Sequence, residues 1–267
     1  MTNLAMTPEQ LNPIIESWRE LGVGFTGAQL QESSVPIDLE RLVIRTIAGS
    51  ISMARLFGMT NTWLHLYGDL VAKHRLRRLI QDELDPEFHP VLGLLLDTAQ
   101  QGQHPQEFRS VIADLRPAKI ARPLFAVERR NAALIERASR TASPIARRWR
   151  LWTVEQPFKF KALNTAQWIM QRHPDFIVRA DMRGDLRVSV LAALRFDTGA
   201  GDSEMALARA AGGSRAQVRN ALENLEMTGR VRRVSALSKS QVTGAQAASS
   251  GGIRNRNATR IELLSFR

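Results

Sequence analysis

The chain has 267 residues, 37 Lys and Arg against 26 Asp and Glu, and no cysteine, which excludes a disulfide framework and a cysteine-ligated zinc or iron–sulfur site. With 44% hydrophobic and 24% charged residues it is a globular chain able to bury a sizeable core, as one large domain or two smaller ones. The net charge of +11 points to an anionic partner. All but five of the basic residues are arginine, as GC-rich codon usage also produces, so the position of the charge says more than its sum.

Residues 1–115 hold 9 basic and 14 acidic side chains, a net −5. Residues 116–161 carry +9, residues 162–185 are balanced, and residues 186–267 carry +7. This polarity predicts three parts: an acidic regulatory or assembly part over 1–115, a basic connector over 116–161 and a basic C-terminal module over 162–267. Glu9, Glu16, Arg19 and Glu20 interrupt the N-terminus, and the apolar run Val91 to Leu96 is too short to span a bilayer. Neither a signal peptide nor a membrane partner is expected, which suits a cytoplasmic protein.

In chain order, Thr7, Pro8 and Gln10 open a first helix with the stripe Leu11, Ile14, Ile15 and Trp18, ended by Gly22. Residues 37–48 form a second, with Leu39, Leu42, Val43, Thr46 and Ile47 in helical register. Further helices are expected around 62–80 and 106–115. Leu124, Val127, Asn131, Leu134 and Ala138 repeat like heptad positions. They predict a helix over 122–140, packed on its own domain or, alternatively, forming a dimer seam registered by Asn131. Arg147, Arg148 and Arg150 flank Trp149 and Trp152, as a phosphate-contacting surface or as the solvated edge of a packed helix. A helical pattern resumes from Ala162 and stops before Pro174.

The last eighty residues carry the most specific pattern. Leu186 to Phe196 reads as a short helix. Asp202 or Ser203 caps a second that runs to Gly212 and Gly213, and Ser214 with Gln217 caps a third, whose inward stripe is Val218, Ala221, Leu222 and Leu225. Two helices cross closely only where a small residue sits at the contact, a glycine takes the turn and an apolar anchor comes next. Ala208, Gly212 and Val218 meet those needs. Arg230 to Ser235 and Ala258 to Ser265 alternate as two strands joined by a long Gly/Ser/Ala-rich loop.

This segment resembles the winged helix-turn-helix proteins, of the bacterial transcription regulator type. Residues 1–115 show no period-two alternation and are expected to be all-α, and the resemblance implies a C-terminal winged helix over 162–267 of three helices plus a β-hairpin wing, which makes the chain mainly α. It also implies that the helix over 214–228 enters the major groove of double-stranded DNA while the wing lies on the backbone. Because Arg pairs with guanine and Asn or Gln with adenine through two parallel hydrogen bonds, Ser214, Arg215, Gln217 and Asn220 are the candidate base readers. Arg219, Arg232, Arg233, Lys239, Arg254 and Arg256 are the candidate backbone contacts.

Ala54, Gly58 and Leu64 repeat the separations of Ala208, Gly212 and Val218, so residues 51–66 resemble a second, weaker helix-turn-helix. It would offer Asn61, Thr62, His65, Lys73 and Arg75 to DNA. Its apolar circumference and acidic surroundings favour a core element or a dimer surface instead.

The five histidines are scattered without metal-ligand spacing, and phosphate-binding loops, dinucleotide fingerprints and nucleophile elbows are absent. No enzyme activity, metal or cofactor is expected. The reading is a sequence-specific DNA-binding transcription regulator acting as a homodimer. Its alternatives are a plasmid or phage replication initiator or partition protein with tandem winged helices, and an adaptor whose winged helix binds protein.

Overall fold

A computed structural model describes residues 6–25, 35–102, 106–235 and 259–264. They are mainly helical, with thirteen α-helices and two two-stranded sheets among the described residues. None of these helices is long and apolar enough to cross a membrane. Contacts along the chain divide it into two compact units, Met1–Gly184 and Asp185–Arg267.

The first unit is built on α1 (Pro8–Glu20), α2 (Leu39–Ser52), α3 (Ala54–Tyr67), α4 (Lys73–Glu83) and α5 (His89–Ala99). Gln10 Oε1 accepts the Thr7 N–H at 3.0 Å, closing the N-terminus of α1, and Gly22 takes φ +86° beyond its end. Three tryptophans set the core. The Trp18 indole donates to Thr46 Oγ1 at 2.7 Å and the Trp63 indole to Leu21 O at 2.9 Å, and the two rings meet edge to face with centroids 5.4 Å apart. The third, Trp149, donates to Asp97 Oδ2 at 2.9 Å and lies across Gly93, where any Cβ would fall 2.3 Å from the ring.

A buried ion cluster ties this unit together. Arg75 bonds Asp38 and Glu40, Arg179 bonds Glu40 at 2.6 Å, and Glu40 Oε1 accepts the Ala72 N–H. Arg75 and Glu40 are fully buried, so each charge needs the others in place. Burial pushes the Asp38 carboxyl up, but the hydrogen bond and charge of Arg75, aided by Arg41, hold it below its ordinary value.

Several expectations are corrected here. The helix expected over 62–80 is two, because α3 ends at Tyr67 and a 3-10 turn at Gly68–Leu70 precedes α4. Helix α6 (Arg109–Ile112) is one turn long. The periodic segment 122–140 is not one helix. It comprises β1 (Arg122–Pro123), a 3-10 turn and α7 (Ala132–Thr141), and Asn131 caps α7 by accepting the Leu134 N–H at 2.9 Å. The heptad seam required one continuous helix with Asn131 inside it, and Asn131 instead lies at the start of α7.

The basic connector is not simply helical. Beyond α7 it holds α8 (Pro144–Arg148) and β2 (Leu151–Trp152), which pairs in parallel with β1, while Leu124, Phe125, Ala146, Trp149 and Leu151 enter the core. Residues 162–184, grouped by sequence with the C-terminal module, belong to the first unit. They contain α9 (Ala166–Arg172) and α10 (Asp175–Asp181). Asn164 N donates to Gly22 O at 2.8 Å, Ile169 and Phe176 join the core, and Arg179 reaches Glu40. These are contacts between residues more than a hundred positions apart, which local composition does not report.

The second unit has its elements in the expected order. It contains α11 (Leu186–Phe196), α12 (Glu204–Ala211), α13 (Arg215–Met227), β3 (Val231–Ser235) and β4 (Thr259–Leu263). Val190, Leu191, Leu207, Val218, Leu222 and Leu225 fill its centre, closed by Val231 and Ile261 from the strands. β3 and β4 are antiparallel, with Val231 opposite Leu263 and Ser235 opposite Thr259. Gly201 permits a close approach to β4, since a Cβ there would lie 2.3 Å from Ile261 O.

Candidate nucleic-acid interface

The geometry of α13 begins at the turn before it. Gly212 ends α12 at φ +75°, ψ +22°, a left-handed conformation that favours glycine. Gly213 faces Leu186, where a Cβ would stand 2.7 Å from Cδ2. Ser214 Oγ then accepts the Gln217 N–H at 3.3 Å, and Gln217 Oε1 accepts the Ser214 N–H at 3.0 Å. Val218, Ala221, Leu222 and Leu225 point into the core of this unit. The opposite face exposes Arg215, Gln217, Arg219, Asn220 and Glu223 to solvent.

The capping box changes the role of two residues. Gln217 Oε1 already accepts the Ser214 N–H, which holds its side chain at the helix N-terminus and narrows the directions in which it can meet a base. Ser214 Oγ is held in the same box by the Gln217 N–H. Arg215 and Asn220 are the predicted base readers whose side chains the cap leaves uncommitted.

Glu204, at the start of α12, was not singled out in the sequence. Its carboxylate lies 3.1 Å from Arg219 Nη2, 3.5 Å from Arg233 Nη2 and 3.7 Å from Arg215 Nε. Burial pushes this carboxyl up, but the hydrogen bond and charge of Arg219, with Arg233 and Arg215 beyond, hold it below its ordinary value. Arg233 also pairs with Glu226 at 3.0 Å, and Arg232 with its cross-strand neighbour Glu262 at 2.8 Å. The predicted backbone contacts Arg219, Arg232 and Arg233 are thus gathered by acidic residues of the same unit. Recognising Glu204 needed the crossing of α12 and α13 and the approach of β3, so its sequence signal was only its place after a capping serine. Lys239, Arg254 and Arg256 lie outside the described residues.

The second candidate site does not assemble. α3 runs unbroken through Gly58, so no turn forms where the resemblance required one. Asn61 and Thr62 are buried: Asn61 Nδ2 donates to Leu95 O at 2.9 Å, and Thr62 Oγ1 donates to Gly58 O and accepts the Lys159 N–H. Arg75 is fully buried in the ion cluster, Lys73 pairs with Glu107, and His65 stacks on Phe158 with ring centroids 4.1 Å apart. The exposed arginines beside the tryptophans also make contacts within their own unit. Arg147 donates to the carbonyls of Ser139, Arg140 and Ala142 around the end of α7, Arg148 pairs with Asp97, and Arg150 donates to Lys119 O.

No group of three or more histidine, aspartate or glutamate side chains among the described residues is arranged to hold a metal ion. Comparison of the chain with protein-family models, with curated proteins and with solved structures gave no match.

Proposed function

We propose that residues 185–267 form a winged helix that binds double-stranded DNA, with α13 in the major groove and β3–β4 as the wing, and that the chain is a transcription regulator. The observation carrying this reading is the exposed face of α13. Arg215 and Asn220 stand on a helix whose other face is locked into a core, behind a turn that only glycine takes comfortably. A rigid helix presenting an arginine and an asparagine suits base edges, because each side chain makes a pair of parallel hydrogen bonds. Arg219, Arg232 and Arg233 surround it as phosphate contacts. Arg219 and Arg232 are exposed, and their pairs with Glu204 and Glu262 are individually weak, so phosphate oxygens can replace those carboxylates at little cost, whereas Arg233 is half-buried between Glu204 and Glu226. Regulators of this kind read paired half-sites as two-fold dimers, and a homodimer is the assembly we propose.

Duplex binding by the full chain across a salt series tests this reading. The expected result is a steep fall in affinity with salt, and for Arg232→Ala an about equal loss on all sequences with a salt slope smaller by about one. Salt-insensitive binding, or none, contradicts it and would favour a protein-binding role for the same face.

A further inference from the structure

The first unit contains a cavity of about 200 Å³ where α3 and α5 face the start of α8 and residues 153–156. Phe57, Leu94, Ile145 and Val154 supply its apolar wall. The space depends on Gly58: a Cβ there would point toward Gln156, 2.7 Å from its Oε1. Asn61 lines the same cavity while only 4% exposed. Its Nδ2 donates to Leu95 O, and because a carbonyl can only accept, the orientation of the amide is fixed. Its Oδ1 accepts no hydrogen bond from the described residues and is the acceptor Asn61 can offer the cavity. Oδ1 is open to the cavity rather than sealed in the core, so a ligand bearing a donor can bond to it there.

We propose that this cavity binds a small uncharged aromatic molecule carrying one hydroxyl or N–H donor, with its ring against the apolar wall and its donor on Asn61 Oδ1. The size fits, since an apolar cavity of about 150 Å³ holds a benzene ring. The ligand is uncharged because the lining has one ionisable side chain, Glu155, which is exposed, and a buried charge would lose its water without a counter-charge in place. The site is independent of DNA binding, and its test does not use DNA.

The test is to titrate the full chain with phenol, and separately with toluene, following side-chain methyl signals by NMR. Phenol is expected to shift the methyls of Leu94, Ile145 and Val154 selectively. Asn61→Leu removes the acceptor at similar volume and is expected to lower the phenol-to-toluene affinity ratio about tenfold. Should that variant fail to fold, Gly58→Ala, which adds a methyl at the cavity wall of a helix, is expected to weaken both probes at least about threefold. Absence of selective shifts at millimolar phenol, an unchanged ratio in Asn61→Leu, or undiminished binding by Gly58→Ala would overturn the proposal.

Discussion

Ala54, Gly58 and Leu64 lie on one continuous helix, whereas Ala208, Gly212 and Val218, at the same separations, span a helix, a turn and a second helix. The residues just C-terminal to each glycine make the difference. After Gly212 come Gly213, pressed against Leu186, and Ser214, which with Gln217 closes a new helix N-terminus. After Gly58 comes no cap. Thr62 turns its hydroxyl back to Gly58 O at 2.7 Å, and Met59, Trp63 and Leu64 are buried. A helix buried on most of its circumference gains more from continuing than from turning. A three-point spacing therefore identifies a helix-turn-helix only when the turn has its own cap.

This contrast is open to direct attack by substitution. The largest effect is expected from Arg75→Met, which leaves Glu40 and Asp38 in the core of the first unit without their full complement of positive charge. Denaturant unfolding of the full chain should show a loss of about 3–5 kcal/mol, with the duplex affinity of the folded protein unchanged. Normal stability with lost duplex binding would restore Arg75 to a phosphate-contacting role and revive the second site.

A pair of matched glycine substitutions should give opposite signs. Gly212→Ala forces a side chain into the left-handed region and is expected to cost about 1–2 kcal/mol, whereas Gly58→Ala lies within a helix and should stabilise by up to about 1 kcal/mol. The latter gain requires Gln156 to move aside, which the flexible end of a glutamine allows. Equal signs in thermal or chemical unfolding would erase the distinction drawn between the two regions.

A smaller change is expected at the arginine cluster. Glu204→Gln removes the carboxylate that draws in Arg215, Arg219 and Arg233, and should raise duplex affinity about three- to tenfold at low salt. The same group sets the sign with pH. Because the Glu204 carboxyl is held below its ordinary value, it stays ionised at neutral pH and releases the arginines only as pH falls through that lowered value. Glu204→Gln should abolish this acid-side gain, and a wild-type affinity that does not rise there would remove Glu204 from the account.

The second unit was largely legible in the sequence because its signals are local. The Ser214–Gln217 box, Gly212 and the stripe from Val218 to Leu225 each lie within a few residues of the feature they specify. The first unit was less so. α5 has no periodic signature because Val91 to Leu96 is apolar on every face, and the cap Asn131 has the spacing of a heptad position. Nothing local marks residues 162–184 as part of the first unit, because Arg179–Glu40 and Asn164–Gly22 are long-range contacts. At the candidate interface, the exposed face of α13 was anticipated, but the convergence of three arginines on Glu204 depends on how α12, α13 and β3 pack.

Base reading by α13 is tested most directly by selection from a randomised duplex pool by the full chain, repeated with Arg215→Ala and Asn220→Ala. The wild type should enrich a motif, and each variant should lose preference at a distinct position, worth about 1–3 kcal/mol of discrimination per position. A wild-type pool that enriches no motif, or variants that keep the whole motif, would contradict it.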